Sequence, residues 1–318
     1  MSGDISGATA DAYGVMIPIK RVKFKNGYGK KMNVLVLGGT RFFGIHMVNV
    51  LLENGHDVTI ATRGNVSDSF GKKVRRITIE RTNPDSMKEG LSGKHFDVVI
   101  DKLAYCSNDI MNAMEVIDAD RYIHMSSTAV YNPKKINTTE DDFNGMERPV
   151  IWCNRADFPY DEIKRQAEYA LWQKYSDKNW LAVRYPVVLG KDDYTNRLKF
   201  YVDHVINQHP LYIDNLDCQM SYINSDEAGR FMAYMVDKNV AGAVNGASEG
   251  TISLGEILKY IEKRTKKRAI LEADGDFAPY NGDPEFKINS DKAKSLGFMF
   301  TDIHDWIYDL LDYYIYET

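Results

Sequence analysis

Two rhythms of apolar residues, short runs and longer stretches of helical spacing, take turns along this chain from residue 32 onward. Asn33–Leu37 is a short apolar run of the kind that buried parallel strands show. Phe43–Asn54 has helical spacing and stops at Gly55, a residue suited to ending a helix. Asp57–Ala61 predicts a second strand and Arg76–Ile79 a third, with a helix opening near Pro84. Phe96–Ile100 reads as a fourth strand, Asn108–Ile117 as a helix and Tyr122–Met125 as a fifth strand. A long helix follows over Asp161–Tyr175, then a sixth strand over Trp180–Arg184. Strands alternating with helices in this way predict an α/β fold, a doubly wound parallel sheet with helices on both faces.

The rhythm weakens after Gly190. Leu198–Asn207, Asp226–Val236, Leu254–Thr265 and Asp302–Tyr313 read as helices, with short strands at Leu211–Ile213 and Arg268–Leu271 between them. Residues 191–318 therefore predict a smaller mixed lobe, mainly for substrate. A segment near 219–247, with a strand at Met220–Ile223, returns to the large lobe formed by residues 32–190. Residues 1–31 differ, rich in small residues and then in Lys and Arg, and read as an N-terminal extension; Val15–Phe24 could add a strand to it.

Composition narrows the function. The 318 residues are 44% hydrophobic and carry a net charge of −5, so the chain lacks the basic field that nucleic-acid binding needs. Cys106, Cys153 and Cys218 give neither zinc spacing nor a disulfide framework, which suits a reducing compartment, and a cytoplasmic location is expected. No apolar run approaches the ~20 residues of a membrane span.

The chemistry begins at the end of the first strand. Asn33–Leu37 runs into Gly38-Gly39-Thr40-Arg41-Phe42-Phe43-Gly44 and then a helix, the setting of a Rossmann-type dinucleotide turn. Gly38 permits the tight turn, Gly44 lets helix and strand pack closely, and the helix N-terminus attracts phosphate. Arg41 stands where a third glycine would fall, so its side chain must point outward, along the cofactor phosphates or into solvent. NAD-preferring domains place an acid roughly 20 residues past the glycines to hold the ribose. Here the second strand ends in Thr62 and Arg63, a hydroxyl and a guanidinium that suit a 2′-phosphate. NADP(H) is therefore favoured, with NAD the alternative.

Three tyrosines have a lysine four residues later: Tyr131/Lys135, Tyr160/Lys164 and Tyr234/Lys238. Pro133 breaks the first pair, and no hydroxyl-rich strand end precedes the third. Tyr160 opens the long helix, so Tyr160 and Lys164 share one face, and the fifth strand ends upstream in Ser126-Ser127-Thr128. Moving a carbinol proton needs a phenol with a pKa below its usual ~10, which an ammonium nearby would favour. Tyr160 is thus the general acid/base, Lys164 its partner and a holder of the cofactor ribose, and Ser127 the group that orients the substrate oxygen.

These pieces resemble the extended short-chain dehydrogenase/reductase proteins, the NAD(P)-dependent epimerase/dehydratase family. The likeness runs from Met32 nearly to the end. It takes in the glycine turn, the segment His124 to Tyr131, and Tyr160-Asp161-Glu162-Ile163-Lys164 with Glu168. Val183 to Gly190, Tyr222 to Ala228 and Lys292 to Phe298 complete it. The resemblance implies a Ser127, Tyr160 and Lys164 triad, a cofactor lined by Thr40, Arg41, Phe42 and Phe43, and a nicotinamide flanked near Pro186. It also implies that Glu80 meets the adenine amino group. Thr128-Ala129 stands where sugar-nucleotide 4,6-dehydratases carry Asp-Glu, which argues against dehydration. The variant turn Gly-Gly-Thr-Arg-Phe-Phe-Gly resembles a branch that includes epimerase-like bacterial proteins and chloroplast RNA-binding relatives. The expected activity is oxidoreduction or epimerisation at a carbinol or keto group of a nucleotide-sugar-like substrate. The alternative is a non-catalytic dinucleotide-binding regulator or RNA binder on the same fold. In such proteins the helices over Asn108–Ile117 and Asp161–Tyr175 often form a dimer interface, so a homodimer is expected.

Overall fold

The computed structural model describes residues 30–317. Most of the expected extension, including Val15–Phe24, lies outside the described residues.

Seven parallel strands form the large sheet: β1 (Asn33–Leu37), β2 (Asp57–Thr62), β3 (Arg75–Thr78), β4 (Val98–Asp101), β5 (Tyr122–Ser127), β6 (Trp180–Tyr185) and β7 (Gly242–Asn245). Their spatial order is 3-2-1-4-5-6-7. β1 is nearly all apolar because both of its faces are covered, and Val34, Leu35, Val36 and Leu37 are wholly buried. Helices α1 (Phe43–Glu53) and α6 (Ser225–Tyr234) cover one face, with Met47, Val48 and Leu51 of α1 in its core. Helices α2 (Pro84–Leu91), α3 (Ser107–Val116) and α4 (Tyr160–Lys174) cover the other. Each such aliphatic side chain contributes about 1.5–3 kcal/mol when removed from water.

Register places the functional edge. Leu37 lies opposite Ala61 of β2 and Asp101 of β4, so Gly38, Thr62 and Lys102 leave the sheet side by side. This is where the strand order reverses about β1, and such a switch point opens a crevice at the carboxyl ends of the strands. A separate core gathers α5 (Arg197–Asn207), α7 (Leu254–Thr265) and the C-terminal helix Ile307–Tyr316.

Several expected elements differ. The run Phe96–Ile100 is interrupted at Asp97, whose carboxylate accepts the Asn33 amide at 2.6 Å. His95–Phe96 pairs with Asp118–Ala119 instead, and the sheet strand begins at Val98. Arg268–Leu271 is no strand; Leu211–Tyr212 pairs with Asp276–Phe277, and Leu271 makes only an isolated bridge. Met220–Ile223 divides into Gln219–Met220, antiparallel to Ile252–Ser253, and Tyr222–Asn224, parallel to Val187–Leu189. The last helix is shorter at its start, because Trp306 takes φ −135° between a single turn at Ile303–Asp305 and the helix proper. β7 has no counterpart among the expected strands; it is four residues long and begins at a glycine.

Candidate active site

The turn after β1 is built for close approach. Gly38 and Gly39 take φ of +99° and +96°, open to glycine at little cost. A Cβ on Gly44 would come 2.9 Å from the Gly39 Cα, so α1 rests directly on the turn. The first turn of α1 has no side-chain cap and no acidic residue. The Gly44 and Ile45 amides donate to the Arg41 and Phe42 carbonyls, and the positive end of the helix still favours an anion. Glycine cradle and bare helix end together fit a dinucleotide pyrophosphate.

A cleft of about 450 Å³ opens beside this turn. Gly38, Thr40, Arg41, Thr62, Arg63 and Glu80 line it, six of the positions singled out from sequence. Phe42 and Phe43 do not present their rings to it. Both are buried in the core under the sheet, since their apolar surface gains more there than at a polar crevice, and they have only backbone to offer a ligand. Gly44 serves packing, and Pro186 is buried beyond the end of β6, outside the cleft lining. At the cleft mouth the Arg63 guanidinium stands 4.0 Å from the Glu80 carboxylate. Glu80 also accepts the Thr82 amide and hydroxyl at 3.2 and 2.9 Å, which hold its carboxyl below the usual range.

Sequence reasoning missed Lys102, Arg155 and Tyr194, which line the same cleft. Lys102 directly follows β4, so its position at the carboxyl edge was open to inference. Arg155 and Tyr194 come from loops with no periodic signal. Arg155 donates to Asp109 at 3.0 Å and to the Leu103 carbonyl at 2.7 Å, which straps the segment before α4 onto the rim. Tyr194 sits edge-on to Phe42, with centroids 6.1 Å apart.

Ser127 ends β5 and Tyr160 begins α4, and Ser127 lies near enough to the Tyr160 hydroxyl to bear on its pKa. Tyr160 is 49% exposed as a residue. Burial around its hydroxyl nevertheless pushes the phenol pKa above the ordinary value, and the groups pulling it down are Ser127 and Arg197. Lys164, one turn along and fully buried, donates to the Ala104 and Met125 carbonyls, both at 2.9 Å. These carbonyls take two of its three N–H groups, and Lys164 is not among the residues lining the cleft. Burial lowers its pKa to about 8. Tyr105 links the set: its ring lies 5.0 Å from the Lys164 ammonium and edge-on to Tyr160 at 6.3 Å. The ammonium is thus engaged by carbonyls and the Tyr105 ring, and the lowered phenol pKa expected from sequence is not found in the free protein.

The competing tyrosines have other partners. Tyr131 donates to Asn245 and accepts from Arg184 inside a buried network. Tyr234 donates to the Leu296 carbonyl, with Lys238 over its ring. Among the described residues no cluster of His, Cys, Asp or Glu is arranged to hold a metal, and no helix is long and apolar enough to cross a membrane.

Fold and turn are those of a Rossmann-type α/β protein. Residues 34–108 match the NAD dependent epimerase/dehydratase family. A chloroplast stem-loop binding protein of 41 kDa (form b) from Arabidopsis thaliana is 26% identical over 293 residues, covering 85% of this chain and 70% of that protein. A 2′-dehydrokanamycin reductase from Streptomyces kanamyceticus is 29% identical over 103 residues, 32% of this chain and 29% of that one. Among solved structures, UDP-glucuronic acid 4-epimerase from Bacillus cereus in complex with NAD shares the fold with a TM-score of 0.67 at 18% identity, covering 90% of this chain and 98% of that one.

Proposed function

We propose that this protein is a working oxidoreductase or epimerase of the epimerase/dehydratase kind, acting at a carbinol or keto group of a nucleotide-sugar-like substrate, with NADP(H) preferred over NAD. The observation that carries the reading is the proximity of Ser127 to the Tyr160 hydroxyl at the carboxyl edge of β5, together with a glycine cradle whose helix end has no side-chain cap. When bound, the dinucleotide supplies the hydride donor or acceptor. Ser127 holds and orients the substrate oxygen. Tyr160 moves the proton at that oxygen, as acid in reduction and base in oxidation. Its raised pKa in the free protein suits the acid role, and the positive charge of an oxidised cofactor would favour phenolate for the reverse step. Lys164 fixes the ribose. Arg63 reads a 2′-phosphate and Glu80 the adenine edge. The same reading carries a homodimer about α3 and α4, which sedimentation would score.

The stem-loop binding relative raises RNA binding as the competing activity. Native mass spectrometry of the purified protein tests the cofactor, with a retained dinucleotide expected. Tyr160→Phe should then abolish turnover of UDP-sugars or their keto forms while dinucleotide affinity stays within about twofold. Salt-sensitive RNA binding without any turnover by the wild type would overturn the enzymatic reading.

A further inference from the structure

Of the cations lining the cleft, most are already matched. Arg63 faces Glu80, Arg81 is bound to Asp101, and Arg155 to Asp109. Lys102 has no such ion pair among the described residues. Its ammonium lies 4.2 Å from the centroid of the Phe43 ring, the first residue of α1, and donates to the Arg41 carbonyl at 3.3 Å within the glycine turn. The acid that attracts it from further away, Asp192, is committed to His46 at 3.1 Å and to Ser225 at 2.8 Å. Asp101, its neighbour in sequence, is taken by Arg81, Tyr122 and the Leu103 amide. A cation is therefore held against the uncapped N-terminus of α1, on the same Arg41 carbonyl that accepts the Gly44 amide, and the two positive ends repel unless an anion joins them.

Resting on the dinucleotide reading of this cleft, we infer that Lys102 is a phosphate-binding residue, which closes on the pyrophosphate of the dinucleotide together with the first turn of α1. The contact is to the pyrophosphate rather than to the 2′-phosphate, because Lys102 sits over the glycine turn while Arg63 sits at the mouth of the cleft. Burial lowers the Lys102 pKa to about 8 in the free protein. An arriving pyrophosphate raises it again, so binding above pH 8 draws a proton from solution.

The test measures affinities of NADPH, NADH, ADP and AMP by calorimetry for the full chain, for Lys102→Met and for Lys102→Arg. Lys102→Met should weaken NADPH, NADH and ADP alike by about ten- to a hundredfold, the size of one charge-assisted hydrogen bond. AMP, which lacks the second phosphate, should change by less than threefold, and Lys102→Arg should recover most of the loss. In wild type at pH 8.5 the NADH enthalpy should vary with the buffer's ionisation enthalpy, and in Lys102→Met it should not. The ligand-free Met variant should melt no lower than wild type, since it loses only a poorly solvated charge. Unchanged affinities overturn the inference. So does a loss equal for ADP and AMP together with a lower melting temperature, which would make Lys102 structural. If the wild type binds none of the four ligands, it is the dinucleotide reading itself that fails.

Discussion

Arg63 and Glu80 face one another 4.0 Å apart at the cleft mouth, both well exposed. An exposed pair of this kind contributes only about 0–1 kcal/mol, so a 2′-phosphate can take Arg63 from Glu80 at little cost. A charged hydrogen bond to phosphate is worth more, about 1.5–3 kcal/mol. Arg63→Ala should therefore weaken NADPH binding roughly tenfold or more and leave NADH within about twofold. Fluorescence titration with both cofactors checks this, and an equal loss for the two would remove Arg63 from 2′-phosphate recognition. Lys164 shows the opposite balance. It was identified by its spacing from Tyr160, yet its ammonium is held by two carbonyls that no spacing rule could reveal.

At the scale of elements, α1 and its turn depend on one contact. The Gly44 position lies 2.9 Å from backbone at Gly39, which cannot swing aside as a side-chain tip can. Gly44→Ala should cost about 1–3 kcal/mol and tilt α1 off the turn. Melting temperature and NADH affinity should fall together; a variant that binds like wild type would show that the cradle tolerates the shift. This unit was readable in sequence because each of its demands, for positive φ, for close approach and for a bare helix end, selects residue types within a dozen positions. β1, β5 and β6 were readable for the same reason, as mainly apolar runs covered on both faces. β7 was not, since a four-residue run starting at a glycine acquires its identity only by lying against β6. Nor was the depth of Phe42 and Phe43, because a motif gives the order of residues and not which atoms turn inward. Lys102, Arg155 and Tyr194 converge from three separate stretches of chain, and only the folded sheet edge brings them to one cleft.

For the whole molecule, the sheet interior sets the response to acid. His124 on β5 is fully buried, with no partner on either ring nitrogen among the described residues, near the charges of Lys164, Arg81 and Arg184, and burial drives its pKa well below the ordinary value. The unfolded chain takes up a proton at this residue near pH 6.5, while the folded protein does not. Stability contributed here is thus present above pH 6.5 and declines as pH falls toward the folded pKa, by up to about 1.4 kcal/mol per pH unit. His46, raised by its Asp192 hydrogen bond, acts in the opposite direction. Between pH 7.5 and 5 wild type should therefore lose more stability to urea than His124→Leu does. Parallel pH profiles for the two proteins would refute this role. The uncapped start of α1 has a consequence of another kind. A helix start without a side-chain cap gains its counter-charge only when an anionic guest arrives. With free dinucleotide at a hundred times its dissociation constant, the folded state gains about 2.7 kcal/mol by mass action. Proteases that remove opened chains would then spare the loaded protein and clear the empty one, so its abundance would follow the cell's dinucleotide supply.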